Sequence, residues 1–269
     1  MTTVLCVPQW QGSSSPNARR LISGARIAAE SIRADARVVV PVLDAGGKRE
    51  AGVRGLDVLI ENLRLTREAL AGIDDAVITV GGECAVDLAP LSAARARYGA
   101  QLTVLWIDAH PDLYTPQTLP SGSFHGMILR TLLGEGPAPL IPEQPLSPEQ
   151  VIIAGLRAFE PDVREQIEGY IEQSGIRRHG VSDLEKVLDG LTGPVYVHID
   201  LDVLDPPEFS ATCYPEPDGV KPQRLIDLIS RIDNVVGAAI TEHAPADDAG
   251  IPRETEVIRR LGAELKVGR

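Results

Sequence analysis

The sequence predicts an α/β fold on a doubly wound parallel sheet. Two observations predict it. Short continuous apolar runs, rich in Val and Ile, recur along the chain, as strands covered on both faces require. Amphipathic stretches of helical length separate them, and that alternation is the signature of a parallel sheet with crossover helices. The strand-like runs are residues 4–7, 38–42, 76–80, 102–107, 151–154, 195–199 and 235–240. A weaker eighth covers 176–181, where Arg177, Arg178 and His179 interrupt the apolar pattern.

Helix-like segments fill the gaps. Residues 18–32 follow Pro16 and Asn17, a start signal. In 56–70, Leu56, Leu59, Ile60, Leu63 and Leu70 fall largely on one stripe. Segments 85–98, 124–133, 161–173, 222–232 and 253–265 follow in the same manner. Residues 134–150 hold five prolines and no periodicity, so they read as a loop, with an interdomain linker as the alternative. The alternation resumes unchanged afterwards, which favours a single domain over 1–269.

Composition narrows the function classes. The 269 residues are 43% apolar and 24% charged, ordinary for a globular protein, and no run reaches the roughly 18–20 apolar residues of a membrane span. The first residues carry no secretory pattern. Net charge is −12, which disfavours nucleic acid and suits a small cationic substrate. Aromatics are only 4%, too few for base-stacking platforms. Cys6, Cys84 and Cys213 are odd in number and widely spaced, which points to a reducing cytoplasm; Cys6 and Cys213 need no function.

Ligands in doubly wound sheets gather at the carboxyl ends of the strands. The chemistry-bearing residues of this chain lie there. Asp108, His110 and Asp112 follow an apolar strand at alternate positions, so an extended chain points all three to one side. Two carboxylates and an imidazole make half of a divalent-metal site. Asp200 and Asp202 end another strand and share a face, where they repel unless a cation lies between them. His198 is one step deeper on that face and reads as a hydrogen-bonding or core histidine rather than a ligand. Asp205, before Pro206, reads as a turn residue. Gly81-Gly82 lets the backbone approach something closely, with Glu83 and Cys84 over the crevice. Ser121-Gly122-Ser123-Phe124-His125 opens a helix, with Ser123 as its cap. Glu242 ends a further apolar strand. His179 reads as a surface residue, and His243 as a rim or solvated-loop residue.

Gly81-Gly82-Glu83-Cys84, Asp108-Ala109-His110-Pro111-Asp112, Ser121-Gly122-Ser123-Phe124-His125-Gly126-Met127 and Asp200-Leu201-Asp202-Val203-Leu204-Asp205-Pro206 resemble the arginase (ureohydrolase) family in order and spacing. The resemblance spans roughly residues 78–245, and its Thr115-Pro116 and Ser-Gly-x-x-His-Gly pattern is closer to arginases than to agmatinases. It implies a three-layer α/β/α fold on an eight-stranded, mostly parallel sheet. It also implies two manganese ions, with Zn²⁺, Co²⁺ or Fe²⁺ as alternatives. Asp108 and Asp200 would bridge both ions, His110 and Asp202 would complete one site, and Cys84 and Asp112 the other. Asp112 would orient the attacking water, Glu242 would hold a guanidinium group, and His125 would shuttle a proton. Tyr114, Ser121, Ser123 and Glu160 would meet the rest of the substrate. The implied reaction is hydrolysis of a guanidino compound to urea, or a substituted urea, and an amine such as ornithine. Trimers or hexamers are the implied assemblies.

The chain departs from that family at several points. Cys84 stands where histidine is usual, and Glu83 where aspartate is usual. A thiolate is softer than imidazole and favours Zn²⁺ over Mn²⁺. Tyr114 and Ser123 replace asparagines, and Glu160 replaces an aspartate, at positions that read the substrate's amino-acid end. Hydroxyarginine, agmatine, a guanidino acid and formiminoglutamate therefore stay beside arginine as substrates, and a catalytically silent binding protein is a further alternative. A haloacid-dehalogenase-type phosphatase fits less well, because its Asp-x-Asp motif sits on the first strand and leaves 108–112 unexplained. A related zinc deacetylase needs paired histidines, and the five histidines here include no adjacent pair.

Overall fold

The computed structural model describes residues 1–268. Eight strands, β1 (Thr2–Val7), β2 (Ala36–Val39), β3 (Ala76–Gly81), β4 (Thr103–Ile107), β5 (Val151–Ala154), β6 (Arg177–His179), β7 (Val195–Asp200) and β8 (Val235–Thr241), form one sheet in the order β2-β1-β3-β8-β7-β4-β5-β6. Every pairing is parallel, so all the carboxyl ends lie along one edge. The expected α/β architecture is present.

Among the described residues, seven α-helices cover the sheet: α1 (Arg20–Ser31), α2 (Leu56–Ala71), α3 (Leu88–Tyr98), α4 (Ile128–Leu132), α5 (Arg164–Ser174), α6 (Pro222–Ser230) and α7 (Ile251–Glu264). Strand alternation divides the core between the two faces. On β4, Leu105 and Ile107 pack with Ala28 of α1, Leu225 of α6 and Ile258 of α7. Val104 and Trp106 face the other way, with Leu59 of α2, Leu91 of α3, Leu129 of α4 and Ile167 of α5. Three layers result, and the central strands β3, β8, β7 and β4 are buried on both faces, which is why their sequences are predominantly apolar.

The structure differs from the expected elements at the edges. β2 begins and ends earlier than 38–42 because it pairs only with β1, from Ala36 to Val39. The eighth strand exists as β6, a three-residue edge strand that keeps Arg178 exposed, while half-buried Arg177 donates from Nη1 to Gly190 O at 2.9 Å. Helices expected to start at 85, 124 and 161 open instead as tight 3₁₀ turns before α3, α4 and α5. Ser123 is not a cap: the turn at His125–Met127 has no side-chain cap, and Ser123 instead receives the Ser121 hydroxyl hydrogen bond at 3.1 Å. Residues 134–150 are not a linker. Leu140 and Leu146 are buried, Arg95 Nε donates to Pro145 O, and Gln150 Nε2 donates to Leu102 O at 2.8 Å.

Arg224 on α6 holds Glu185, in the turn before β7, through two 2.7 Å hydrogen bonds. That contact pulls the Glu185 carboxyl from 4.5 down to about 2, against a smaller opposing effect of burial. A depressed carboxyl stabilises the fold above its unfolded pKa and loses that effect as pH falls through the folded one. The pair is partly exposed, so Glu185→Gln should cost less than about 1 kcal/mol near neutral pH. Urea unfolding should show the cost shrinking as pH falls from 4.5 towards 2; a cost that grows with acidity would contradict the assignment.

Candidate metal centre and active-site cleft

The strands carrying the chemistry, β3, β8, β7 and β4, are consecutive neighbours in the middle of the sheet. Their tips are drawn together by backbone. Glu242 N donates to Gly82 O at 2.7 Å, joining the ends of β8 and β3. A Cβ on Gly82 would overlap the Gln9 carbonyl oxygen, and one on Gly81 would overlap the Val86 side chain, so both glycines mark close approaches. Asp112 and Glu242 take left-handed backbone angles, with φ of 51° and 67°. Such strain in non-glycine residues concentrates at functional sites.

Asp108, Asp112, Asp200, Asp202, Glu242 and Cys84 are all buried at this edge. His110 Nδ1 lies 3.0 Å from Asp202 Oδ2 and 3.6 Å from Asp108 Oδ1, and its Nε2 lies 3.6 Å from Glu216 Oε1. The Cys84 thiol donates to Asp200 Oδ2 at 3.0 Å and lies 3.2 Å from Thr241 Oγ1. His125 Nδ1 pairs with Glu242 Oε1 at 3.0 Å. Among the described residues, three sets of donor atoms lie within 4.8 Å of one another: Asp108, His110 and Asp202; Cys84, Asp200 and Glu242; Cys84, Asp108 and His198. Asp112 is in none of these sets. Its chain turns at the left-handed residue rather than staying extended, and its Oδ2, like Glu242 Oε2, is buried with no hydrogen-bond partner.

The electrostatics of this cluster are out of balance. Burial, then the neighbouring Asp202 and Asp108 charges, push the Asp200 carboxyl well above its usual range. Burial and Asp108 do the same to Asp112, and burial raises Asp202 to about 6 even with His110 beside it. Burial, Asp200 and Asp112 push the Cys84 thiol up strongly. Asp108 is the exception: against burial, the His110 hydrogen bond and charge hold it low. His110 is held protonated against burial by Asp202, Asp108 and Glu216. A cluster of this kind invites divalent cations, which satisfy orphaned carboxylate oxygens and cancel like-charge repulsion. The donors present, carboxylate oxygens with imidazole nitrogen and one sulfur, fit that class of ion.

Above the cluster is a cleft of about 500 Å³. It is lined by Tyr114, Ser121, Ser123 and Glu160, all expected substrate-facing residues, together with His110, Asp112, His125, Asp200 and Asp202. The Tyr114 hydroxyl accepts the Glu160 backbone N–H at 2.8 Å, so this side chain sets the position of the Glu160 loop. Burial raises the Tyr114 phenol to about 12.

Three expectations are corrected here. Glu83 does not face the crevice. Its carboxylate accepts from Gln9 Nε2, Gly12 N and Ala85 N, which ties the β3 tip to the segment after β1, and burial raises it to about 7. His243 is neither rim nor solvated. It is buried, with Nδ1 on Gly24 O and Nε2 on Glu254, each at 3.0 Å. His179, expected at the surface, is half-buried beside Asp183. Asp205 does form a turn, accepting from Glu208 N. Sequence reasoning missed Glu216 and Tyr214, which line the cleft beside His110 and His125. They lie on an irregular Pro-rich loop, where no periodicity indicates which way a side chain points.

The profile of the Arginase family matches residues 18–265. The chain belongs to the arginase family. An arginase of Staphylococcus aureus (strain MSSA476) is 30% identical over 194 residues, which cover 67% of this chain and 64% of that protein. The chain thus spans a little under two thirds of the staphylococcal arginases it matches. An N(omega)-hydroxy-L-arginine amidinohydrolase of Streptomyces lavendulae is 31% identical over 213 residues, 75% of this chain and 73% of that one. Among solved structures, an arginase from Bacillus subtilis superposes with a TM-score of 0.83 at 22% identity, covering 100% of this chain and 99% of the other. A proclavaminate amidino hydrolase from Streptomyces clavuligerus gives 0.76 at 21%, covering 98% and 90%. These superpositions establish a shared three-layer fold.

The charge imbalance predicts an unusual stability effect. Asp200→Asn keeps the Oδ1 acceptor for Asp202 N and removes one buried charge. In chelator-treated protein near neutral pH it should raise unfolding stability by about 1 kcal/mol or more. Destabilisation by a similar amount would mean that the carboxylate is favourably paired without an ion.

Proposed function

We propose that this arginase-family chain is a metal-dependent hydrolase that cleaves the C–N bond of a guanidino substrate, releasing urea or a substituted urea and an amine. The reading rests on one observation: two buried, unpartnered carboxylate oxygens, Asp112 Oδ2 and Glu242 Oε2, in an acidic cluster beneath a cleft. Cys84, Asp108, His110, Asp112, Asp200 and Asp202 would hold the metal pair. When bound, divalent ions there supply a water of lowered pKa and electrostatic stabilisation of the developing charge.

The chain's own residues supply the rest. Glu242 Oε2 is a fixed acceptor for guanidinium N–H groups, and its other oxygen is committed to His125. Holding the planar cation there fixes its carbon relative to the attacking water, a proximity effect. Asp112 Oδ2 accepts the water's hydrogen bond and takes a proton. His125 is held protonated above its usual range by Glu242, against burial, and is placed to return a proton to the leaving amine. Glu160 on the cleft wall suits a substrate whose far end is cationic, while the Ser121 and Ser123 hydroxyls offer neutral contacts. Arginine-like compounds fit this pattern best.

The test is product release from arginine, hydroxyarginine, agmatine, guanidinobutyrate and formiminoglutamate with Mn²⁺, Zn²⁺, Co²⁺ or Fe²⁺. At least one guanidino compound should be hydrolysed. Asp108→Ala should lower both metal content and kcat/KM by more than roughly a hundredfold, beyond what loss of an outer partner typically costs. Silence across the whole panel with every metal would instead mark a binding protein.

A further inference from the structure

His198 is the one histidine at the site edge that the proposed reaction leaves unused. It is fully buried on β7, one alternate position before Asp200. Its Nδ1 faces Asp87 Oδ2 at 2.9 Å. Asp87, also fully buried, is held in turn by the Tyr196 hydroxyl. The His198 ring stacks flat on Trp106, with centroids 3.5 Å apart and planes 3° apart. The same indole donates Nε1–H to Asp108 Oδ2 at 3.1 Å. One tryptophan therefore fixes both an imidazole and a carboxylate.

The remaining nitrogen, Nε2, is poorly used by the protein. Its only partner among the described residues is Thr241 Oγ1, at a long 3.5 Å. That hydroxyl is also within reach of Ile199 O at 3.4 Å and Cys84 Sγ at 3.2 Å. A fully buried imidazole with one nitrogen anchored on a carboxylate and the other nearly free has the arrangement of a metal-ligating histidine. In such sites a carboxylate fixes the tautomer and leaves the second nitrogen's lone pair for the ion. His198, Cys84 and Asp108 have donor atoms within 4.8 Å of one another.

We propose that His198 is itself a metal ligand, forming with Cys84 and Asp108 a sulfur–nitrogen–oxygen set at the inner end of the metal centre. The proposal rests on the metal-centre reading above. Asp108 belongs to this set and to the set with His110 and Asp202, so it lies between two unlike positions. The inner one, with thiolate and imidazole, suits Zn²⁺, Co²⁺ or Fe²⁺; the outer one, richer in oxygen, accepts Mn²⁺ as well. Asp87 is then a positioning residue, acting through His198. The competing arrangement, Cys84 with Asp200 and Glu242, leaves His198 as a core residue.

Co²⁺ titration of the full chain separates these arrangements, because cobalt reports its ligands in its absorption spectrum. The wild type should show a thiolate-to-cobalt band from Cys84 and visible bands sensitive to nitrogen ligation. His198→Gln should weaken binding at the inner position at least tenfold and alter the visible bands. Asp87→Asn should weaken it by about 10–100-fold, with the thiolate band retained. Circular dichroism of the metal-free variants checks folding; if His198→Gln does not fold, Asp87→Asn alone decides. Affinities and spectra at wild-type values would overturn the proposal, as would weakened binding in folded His198→Gln with the visible bands unchanged. Because the readout is spectroscopic, it stands whether or not any guanidino compound is hydrolysed.

Discussion

The organisation of this molecule follows from one electrostatic constraint. Five carboxylates, Asp108, Asp112, Asp200, Asp202 and Glu242, are buried together at one edge of a sheet, with His110 as the cation among them and His125 at their margin. In a low-dielectric interior such groups cannot all be ionised without further positive charge. A protein evolved only for stability would replace them with apolar side chains. Their retention at three neighbouring strand tips, with two of the five carrying orphaned oxygens, makes sense as a cage for cations.

The fold is what makes the cage affordable. Parallel pairing brings all carboxyl ends to one edge, and the order β3-β8-β7-β4 makes the four relevant tips neighbours. Apolar packing on both faces of those strands supplies the stability that the acidic edge gives up. Strained backbone at Asp112 and Glu242 then aims two carboxylates that the regular strand geometry would not deliver. The glycines at 81 and 82 allow the β3 tip to pack directly against Val86 and the Gln9 backbone, while its Gly82 carbonyl accepts the Glu242 N–H.

Much of this was legible in the sequence because the signals are periodic. An apolar strand that runs out into Asp at alternate positions specifies both the strand and the direction of its terminal side chains, and Asp108 and Asp200 follow that rule, whereas Asp202 falls in the tight turn Leu201–Val203 after β7. Legibility failed where position depends on tertiary contact. Asp112 leaves the extended path. Glu83, next to a glycine pair, turned to Gln9 and Gly12 rather than to the crevice. Glu216 and Tyr214 reach the cleft from an irregular loop. His198 was visible on the right face, but its ring environment depends on Trp106 and Asp87, which lie on β4 and in the turn before α3. His243 reads as a loop residue, yet its role is set by α1 and α7, whose packing no local pattern reveals.

The most direct measurement is crystallography of the protein grown with Mn²⁺ or Co²⁺, with data collected at the metal's absorption edge. The account predicts two anomalous peaks among the tips of β3, β8, β7 and β4, both in contact with Asp108. No peak at saturating metal, or ions bound only at other surface carboxylates, would contradict it, because the buried acids would then have to be satisfied by protons alone.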